Sequence, residues 1–337
     1  MKAPLFLLRP DGCFMMAGRK GEREGGNEKM LSYVLLVLGF VLLVKGADYF
    51  VEGCSSVAKI LKVPSIIIGL TIVAFGTSAP EAAVSITAAL TGNNDIAIGN
   101  VIGSNIFNLL VVVGVCGLIL PMGIDKGILK KEFPFSILVA GVLLAMIGFD
   151  HQVGRIDGLI LLVLFACFLA WMIHSALTGR EEAPEDYKVL TPLRSAVYIV
   201  CGLAAVVLGG DCVVKSASSI AESFGLSQNL IALTIVALGT SLPELVTSIV
   251  ASRKGENGLA LGNVVGSNIF NILLILGSSS AISPVAVGFE SVIDLSVLIV
   301  FSLITWVLAR GKYKIGRVDG GLMLAMYFGY MAYIILR

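Results

Sequence analysis

Two long stretches of this chain are nearly one stretch written twice. Leu70 to Asn108 reads LTIVAFGTSAPEAAVSITAALTGNNDIAIGNVIGSNIFN. Leu233 to Asn271 reads LTIVALGTSLPELVTSIVASRKGENGLALGNVVGSNIFN, aligned without a gap at an offset of 163 positions. The match extends outward. Gly46 and Asp48 align with Gly209 and Asp211, Ser55-Ser56 with Ser218-Ser219, and Pro121 with Pro284. Past that proline the offset is 162, and Gly154-Arg155-Ile156-Asp157-Gly158 aligns with Gly316-Arg317-Val318-Asp319-Gly320. The chain is therefore built of two like halves.

The solvent of these halves follows from composition. Of the 337 residues, 57% are hydrophobic and 14% charged, with a mean hydropathy of +0.94. A soluble domain carries about 25% charged residues. A spanning helix needs about 20 mainly apolar residues, and ten segments qualify: 31–52, 64–90, 95–119, 134–149, 156–174, 193–214, 227–251, 258–281, 290–309 and 317–335. Five crossings per half is an odd number, so the halves must insert in opposite orientations, as in many secondary transporters. The expected fold is an all-α integral membrane protein, ten transmembrane helices in two inverted-topology five-helix repeats. The expected units are 30–177 and 193–337, joined by a short linker, 178–192. Residues 1–29 are polar and Gly-rich and read as a disordered tail or a mis-assigned start before Met30.

Loop charges set the orientation. Lys59, Lys62, Lys126, Lys130, Lys131, Arg180, Lys188, Arg194, Arg253, Lys254, Arg310, Lys312 and Lys314 fall on one side, with few basic residues on the other. By the positive-inside rule that side is cytoplasmic and both termini face out. A net charge of +1 gives no field for nucleic acid. The six cysteines form no CxxC and sit mostly in apolar runs, where they read as small buried hydrophobes.

Inside each copy of the repeat sits a carboxylate, Glu81 or Glu244, just after Pro80 or Pro243. A carboxylate in hydrocarbon is costly and marks function by default. No basic residue lies nearby in either segment to neutralise it. Proline cannot close the bond to the carbonyl four residues back, so the Gly76 carbonyl is expected to be free within a kinked helix. Thr77 and Glu81 share a helix face, as do Asn100, Ser104 and Asn108. The second half repeats the set with Gly239, Thr240, Ser241, Glu244, Asn263, Ser267 and Asn271. All these donors are oxygens, which suits hard cations. Ca²⁺ takes about 6–8 oxygens in a flexible cage, whereas zinc or copper calls for Cys or His. Two carboxylates neutralise one Ca²⁺, and they can also hold Na⁺, so the ions compete.

Other features have plainer readings. Gly99-x-x-x-Gly103 and Gly262-x-x-x-Gly266 read as helix packing. Thr71, Ser85, Thr234 and Ser248 read as bonding their own backbone. Asn105 and Asn268 read as caps or helix bridges. Asp48 with Lys45, and Asp211 with Lys215, read as pairs within one helix, and Asp157 and Asp319 as helix-start residues.

At GTSAPE (76–81) with GNVIGSNIFN (99–108), and GTSLPE (239–244) with GNVVGSNIFN (262–271), the chain resembles the sodium/calcium exchanger family, the cation/Ca²⁺ antiporters, in its prokaryotic form. The resemblance covers the chain from about Met30 onward. It implies exchange of Na⁺ for Ca²⁺ across the plasma membrane by alternating access, with segments one and six sliding across the rest. It places ion ligands at Glu81, Thr77, Ser78, Ser104 and Asn108, at Glu244, Thr240, Ser241, Ser267 and Asn271, and at the carbonyls of Ala74 and Ala237. Asn rather than Asp at 271 departs from the potassium-dependent members, and the short linker leaves no calcium-sensing module. The chain is expected to be no enzyme, to need no cofactor and to have no protein partner beyond the bilayer. An H⁺/Ca²⁺ or other cation antiporter, and less readily a cation channel, are the competing readings.

Overall fold

The computed structural model describes residues 21–178, 189–225 and 237–336. The expected tail (1–29) and linker (178–192) fall largely outside that set, although the first helix already begins at Gly21. In chain order the elements are helix α1 (Gly21–Leu61), the bent pair α2 (Ser65–Thr77) and α3 (Ala79–Leu90), and α4 (Asn94–Ile119). Next come β1 (Met122–Gly123), α5 (Lys126–Lys130), α6 (Glu132–Asp150), β2 (Gln152–Val153) and α7 (Arg155–Thr178). The second half holds α8 (Pro192–Ser223), α9 (Ala237–Gly239), α10 (Leu242–Arg253), α11 (Asn257–Ile282), β3 (Val285–Ala286), α12 (Phe289–Lys312), β4 (Lys314–Ile315) and α13 (Arg317–Leu336).

Among the described residues, eight helical stretches are long and apolar enough to cross a bilayer, and α2 with α3 forms a further span bent by 50°. The chain is a multi-pass membrane protein. The expected seventh segment, 227–251, lies partly in 226–236, outside the described residues.

Burial sorts the helices. The apolar window of α11 is 94% buried and that of α4 72%, against 22–33% for the other long spans. Two matched helices thus form the protein's centre, and the rest turn much of their apolar surface outward. In water those exposed faces would be a liability; in lipid they are solvated.

The two-strand ribbons show the relation between halves. β1 pairs antiparallel with β4, and β2 with β3. β1 matches β3 in the repeat and β2 matches β4, so exchanging the halves exchanges the ribbons. This is the signature of a pseudo-two-fold axis. The helix α6 runs from one ribbon to the other, placing them at opposite ends. The first ribbon gathers Lys126, Lys130, Arg310, Lys312 and Lys314 at one end. There Trp306 Nε1 donates to the Leu129 carbonyl at 2.7 Å and Arg310 lies 4.8 Å over the Trp306 ring.

The long helices α1 and α8 cross antiparallel through small residues spaced by seven. A Cβ on Gly39 would meet the Gly209 carbonyl at 3.1 Å, and on Gly46 the Gly202 carbonyl at 2.9 Å. One on Gly53 would meet the Ser195 carbonyl at 2.9 Å. Such contacts let two backbones approach where no hydrophobic force separates protein from lipid. Gly262 and Gly266 do the same against α2, with the Ile66 carbonyl 2.6 Å and the Ala74 Cβ 2.7 Å away. Packing accounts for this pair. Gly99 and Gly103 show no comparable contact among the described residues.

Several local readings need correction. Asp48 pairs with Lys254 from the other half, not with Lys45: Lys254 Nζ lies 3.5 Å from its carboxylate and donates to its carbonyl at 2.8 Å. The reason is that Lys45 is exposed, while Asp48 turns toward the loop after α10. Lys215 and Asp211 do pair, at 2.7 Å, on an exposed face. Asp157 and Asp319 each accept the backbone N–H three residues earlier, from Gly154 and Gly316, both at 2.9 Å. Cys54 and Cys116 are buried, but Cys167 and Cys201 are exposed on outward helix faces. The Pro80 break is a reset rather than a kink. The helix stops at Ser78, and Pro80 enters the first turn of α3, where a missing N–H costs little.

The close crossing of α1 and α8 makes a prediction. Gly202→Ala puts a methyl 2.5 Å from the Phe50 backbone nitrogen. It is expected to cost ~1–3 kcal/mol by overpacking, read as a lower melting temperature in detergent. Gly141→Ala, which meets nothing within 4 Å, should leave melting unchanged. Equal melting of the two variants would refute the packing role.

Candidate functional site

The two halves meet at the breaks between α2 and α3 and between α9 and α10. Each break puts a Gly-Thr-Ser sequence at a helix end and a glutamate in the first turn of the next helix. A helix N-terminus offers unpaired N–H groups and a favourable dipole to a carboxylate. That is how the sequence can place Glu81 and Glu244 deep in the protein, both at 0% exposure.

The two glutamates are tied across the axis by reciprocal bonds. Ser78 Oγ donates to Glu244 Oε1 at 3.1 Å, and Ser241 Oγ donates to Glu81 Oε1 at 2.9 Å. Each serine belongs to the opposite half from the carboxylate it serves. Ser267 adds a longer bond to Glu244 Oε1 at 3.4 Å. The second oxygens, Glu81 Oε2 and Glu244 Oε2, are buried with no hydrogen-bond partner among the described residues.

The neighbouring polar groups share this condition. Thr77, Ser78, Ser104, Asn108, Ser241, Ser267 and Asn271 are all buried. Ser104 Oγ, both amide atoms of Asn108, Asn271 Oδ1 and Thr240 Oγ1 have no partner among the described residues. Buried polar atoms are normally satisfied, so a cluster of unsatisfied oxygens needs an explanation such as an ion. The Ala74 carbonyl accepts the Ser78 N–H at 3.0 Å and keeps a second lone pair. Ala237 opens α9. Of the residues singled out from the sequence, the structure joins Ser78, Ser241 and Ser267 directly to the two glutamates, and the buried, unpartnered oxygens lie on the same broken helices and on α4 and α11. Among the described residues no three of His, Cys, Asp and Glu cluster as a metal site, in keeping with a pocket made mainly of neutral oxygens.

Sequence reasoning grouped Asn100 and Asn263 with the oxygen donors; the structure shows their amides supporting the glutamate backbone. Asn100 Nδ2 donates to the Glu81 carbonyl at 3.3 Å and to Ser85 Oγ at 2.8 Å. Asn263 Nδ2 does the same to the Glu244 carbonyl at 3.3 Å and Ser248 Oγ at 2.9 Å. Ser85 and Ser248 thus serve neighbouring helices instead of only their own backbone. Thr71 keeps to the plainer reading, donating to the Ile67 carbonyl at 2.6 Å; Thr234 lies outside the described residues. Thr77 Oγ1 lies 2.9 Å from Asn263 Oδ1 and 3.1 Å from the Val73 carbonyl, with one proton to give to either acceptor.

One missed feature is local helix widening. Asn108 opens a π-helical stretch, Asn108–Val112, and Asn271 opens another, Asn271–Leu276. A third, Gly69–Val73, precedes the break in α2. Such stretches often occur at functional sites. Here two of them begin at buried asparagines, each with a side-chain oxygen that has no partner among the described residues. The repeated Asn at the end of each GSNIFN was the available signal, but widening itself leaves no mark on a sequence.

Comparison with known proteins agrees with this geometry. The family model described as sodium/calcium exchanger protein matches residues 31–174 and again 194–336. CaxA of Alkalimonas amylolytica is 40% identical over 321 residues, covering 89% of this chain and 98% of its own length. Sodium/calcium exchanger MaX1 of Methanosarcina acetivorans is 33% identical over 342 residues, covering 89% and 97%. Among solved structures, the sodium-calcium exchanger NCX_Mj soaked with Na⁺ and Ca²⁺ superposes with a TM-score of 0.78 at 35% identity, covering 90% of this chain and 98% of that one. The same exchanger soaked with Na⁺ and no Ca²⁺ gives 0.80. With both halves matched separately and the fold shared end to end, the chain belongs to the sodium/calcium exchanger protein family.

Proposed function

We propose that this protein is a secondary antiporter that exchanges Na⁺ for Ca²⁺ across the plasma membrane by alternating access. It is not an enzyme and needs no resident cofactor; Ca²⁺ and Na⁺ are its substrates. The observation that carries the reading is the pair of fully buried glutamates, each held by a serine of the opposite half and each with one oxygen that has no hydrogen-bond partner among the described residues. Glu81 and Glu244 are the charged ligands. Thr77, Thr240, Ser78, Ser241, Ser104, Ser267, Asn108 and Asn271, with the carbonyls of Ala74 and Ala237, complete the oxygen set.

The exchange logic is electrostatic. Two carboxylates balance one Ca²⁺, and a group of this kind without a counter-charge is expensive to bury. Two carboxylates cannot satisfy calcium and a full set of sodium ions together, so one cargo displaces the other. An empty pair disfavours the switch between faces, which couples the two fluxes. The two units, 30–177 and 193–337, insert in opposite senses around this site, with linker 178–192 and the basic loops cytoplasmic. Helices α1 and α8 are the elements that move across the rest.

Glu81→Gln or Glu244→Gln is expected to reduce sodium-driven uptake of radiolabelled Ca²⁺ in vesicles by ~100-fold or more, since removing one charge from a buried ionic set typically costs 3–5 kcal/mol. Uptake near the wild-type rate in either variant would falsify the shared site. Competition supplies an independent check. Na⁺ added on the same face as Ca²⁺ should raise the apparent KM for Ca²⁺ and leave the maximal rate unchanged. A constant KM with a falling rate would point to separate sites. Parallel runs under proton or potassium gradients without sodium should give no uptake.

A further inference from the structure

The two asparagines read from sequence as helix bridges do bridge. Asn105 Nδ2 of α4 donates to the Asn268 carbonyl at 3.2 Å, and Asn268 Nδ2 of α11 donates to the Asn105 carbonyl at 3.2 Å. These are mirror-image bonds across the pseudo-two-fold. Beyond them the symmetry ends. Asn271 Nδ2 donates to Asn105 Oδ1 at 2.9 Å. Its counterpart is not formed: Asn268 Oδ1 and both amide atoms of Asn108 have no partner among the described residues.

The polarity of this relay is forced. A backbone carbonyl can only accept, so the Asn268 carbonyl requires the nitrogen end of the Asn105 amide. That turns Asn105 Oδ1 the other way, where it can only accept. The group facing it, on Asn271, must therefore be the NH₂. The remaining atom of that amide, Asn271 Oδ1, is left buried and without a partner among the described residues. The relay starts on α11, crosses to α4 and returns to α11 three residues further on, at the first residue of its π-helical stretch.

We infer that Asn105 is a positioning residue, which fixes the Asn271 amide with its oxygen toward the transported cation; this deepens the antiport reading and rests on it. An amide has two faces of opposite sign. With the oxygen inward it is a neutral ligand for Ca²⁺ or Na⁺, and with the NH₂ inward it repels both. Sequence and volume alone do not choose between them. The acceptor at Asn105 does, by making the wrong orientation place two oxygens against each other and leave a buried NH₂ unpaired.

The test uses the intact protein in liposomes, with sodium-driven Ca²⁺ uptake and melting temperature as readouts. Asn105→Ala and Asn268→Ala each delete one of the two mirror-image bridges, so they should lower the melting temperature alike. Only Asn105→Ala also removes the acceptor for Asn271. It is expected to raise the KM for Ca²⁺ ~10-fold, the scale of one lost buried hydrogen bond, with the maximal rate within about twofold. Asn268→Ala should leave that KM within about twofold. In an Asn271→Ala background the Asn105→Ala change should add less than about twofold. Asn105→Leu, which keeps the volume, serves where the alanine variant does not fold. Equal KM changes for the two bridge variants, or the same Asn105 effect with and without Asn271, would overturn the positioning role. Wild-type exchange abolished by Glu81→Gln keeps the antiport reading whatever the cycle shows; without that control result both fall.

Discussion

A carboxylate inside a membrane protein must be compensated by something fixed in place. Here no lysine or arginine comes to Glu81 or Glu244 among the described residues; the shorter hydroxyl bonds come from serines of the opposite half, with a longer one to Glu244 from Ser267 of its own half. A hydroxyl stabilises a carboxylate oxygen through one hydrogen bond, worth less than a full opposite charge. The pair is therefore held in position by hydrogen bonds, with no fixed opposite charge beside it among the described residues. In the antiport we propose, the transported cation supplies the opposite charge that the protein leaves out. The rest of the structure keeps that pair in register.

The register is kept at three levels. The breaks at Ser78 and Ser241 place both glutamates in the first turns of helices, where N–H groups are available. Asn100 and Asn263 then hold the backbone carbonyls of the same glutamates and tie α4 to α3 and α11 to α10. Finally the Asn105–Asn268 bridge joins α4 to α11 directly. Each level is doubled by the repeat, so a distortion in one half meets its counterpart in the other. Departures from symmetry in the site are local, at Thr77 with Asn263, at Asn271 with Asn105 and at Ser267 with Glu244. A structure with equivalent halves can adopt two arrangements that differ by exchanging their roles, and such departures are what one arrangement looks like.

Much of this was legible in the sequence because it is written in periodicity and repetition. Most segment boundaries follow from apolar length, and the pairing of like halves from the repeat. The convergence of Glu81 with Glu244 follows from the repeat together with the cost of burying either alone. The supports were not legible, for two reasons. Contacts such as Asn100 to Ser85 or Lys254 to Asp48 cross between helices, and residue spacing on one helix carries no information about its neighbour. The choice of Lys254 over Lys45 as the partner of Asp48 is of this kind: a near neighbour in sequence lost to a residue delivered by a loop. The widened turns at Asn108 and Asn271 were hidden because backbone hydrogen-bond pattern depends on packing around the helix, and the residues themselves are compatible with an ordinary α-helix.

The α1–α8 crossing shows how little sequence information is needed to specify a long contact. Small residues at 39, 46 and 53 face partners at 209, 202 and 195, each step of seven on one helix matched by a step of seven on the other. Because the helices run antiparallel, the residue numbers in each pair have the same total, and the repeat maps the first pair onto the second. A slip of one residue along α1 would replace the glycine at each of these close approaches by a side chain, against carbonyls about 3 Å away. Ridge-and-groove packing alone tolerates such slips through side-chain rearrangement, but a contact made by backbone against backbone has no side chain to rearrange. The two longest helices are thereby fixed to each other, while their contacts with the remaining helices are made by side chains and by the ion pairs of Lys254 with Asp48 and Glu52.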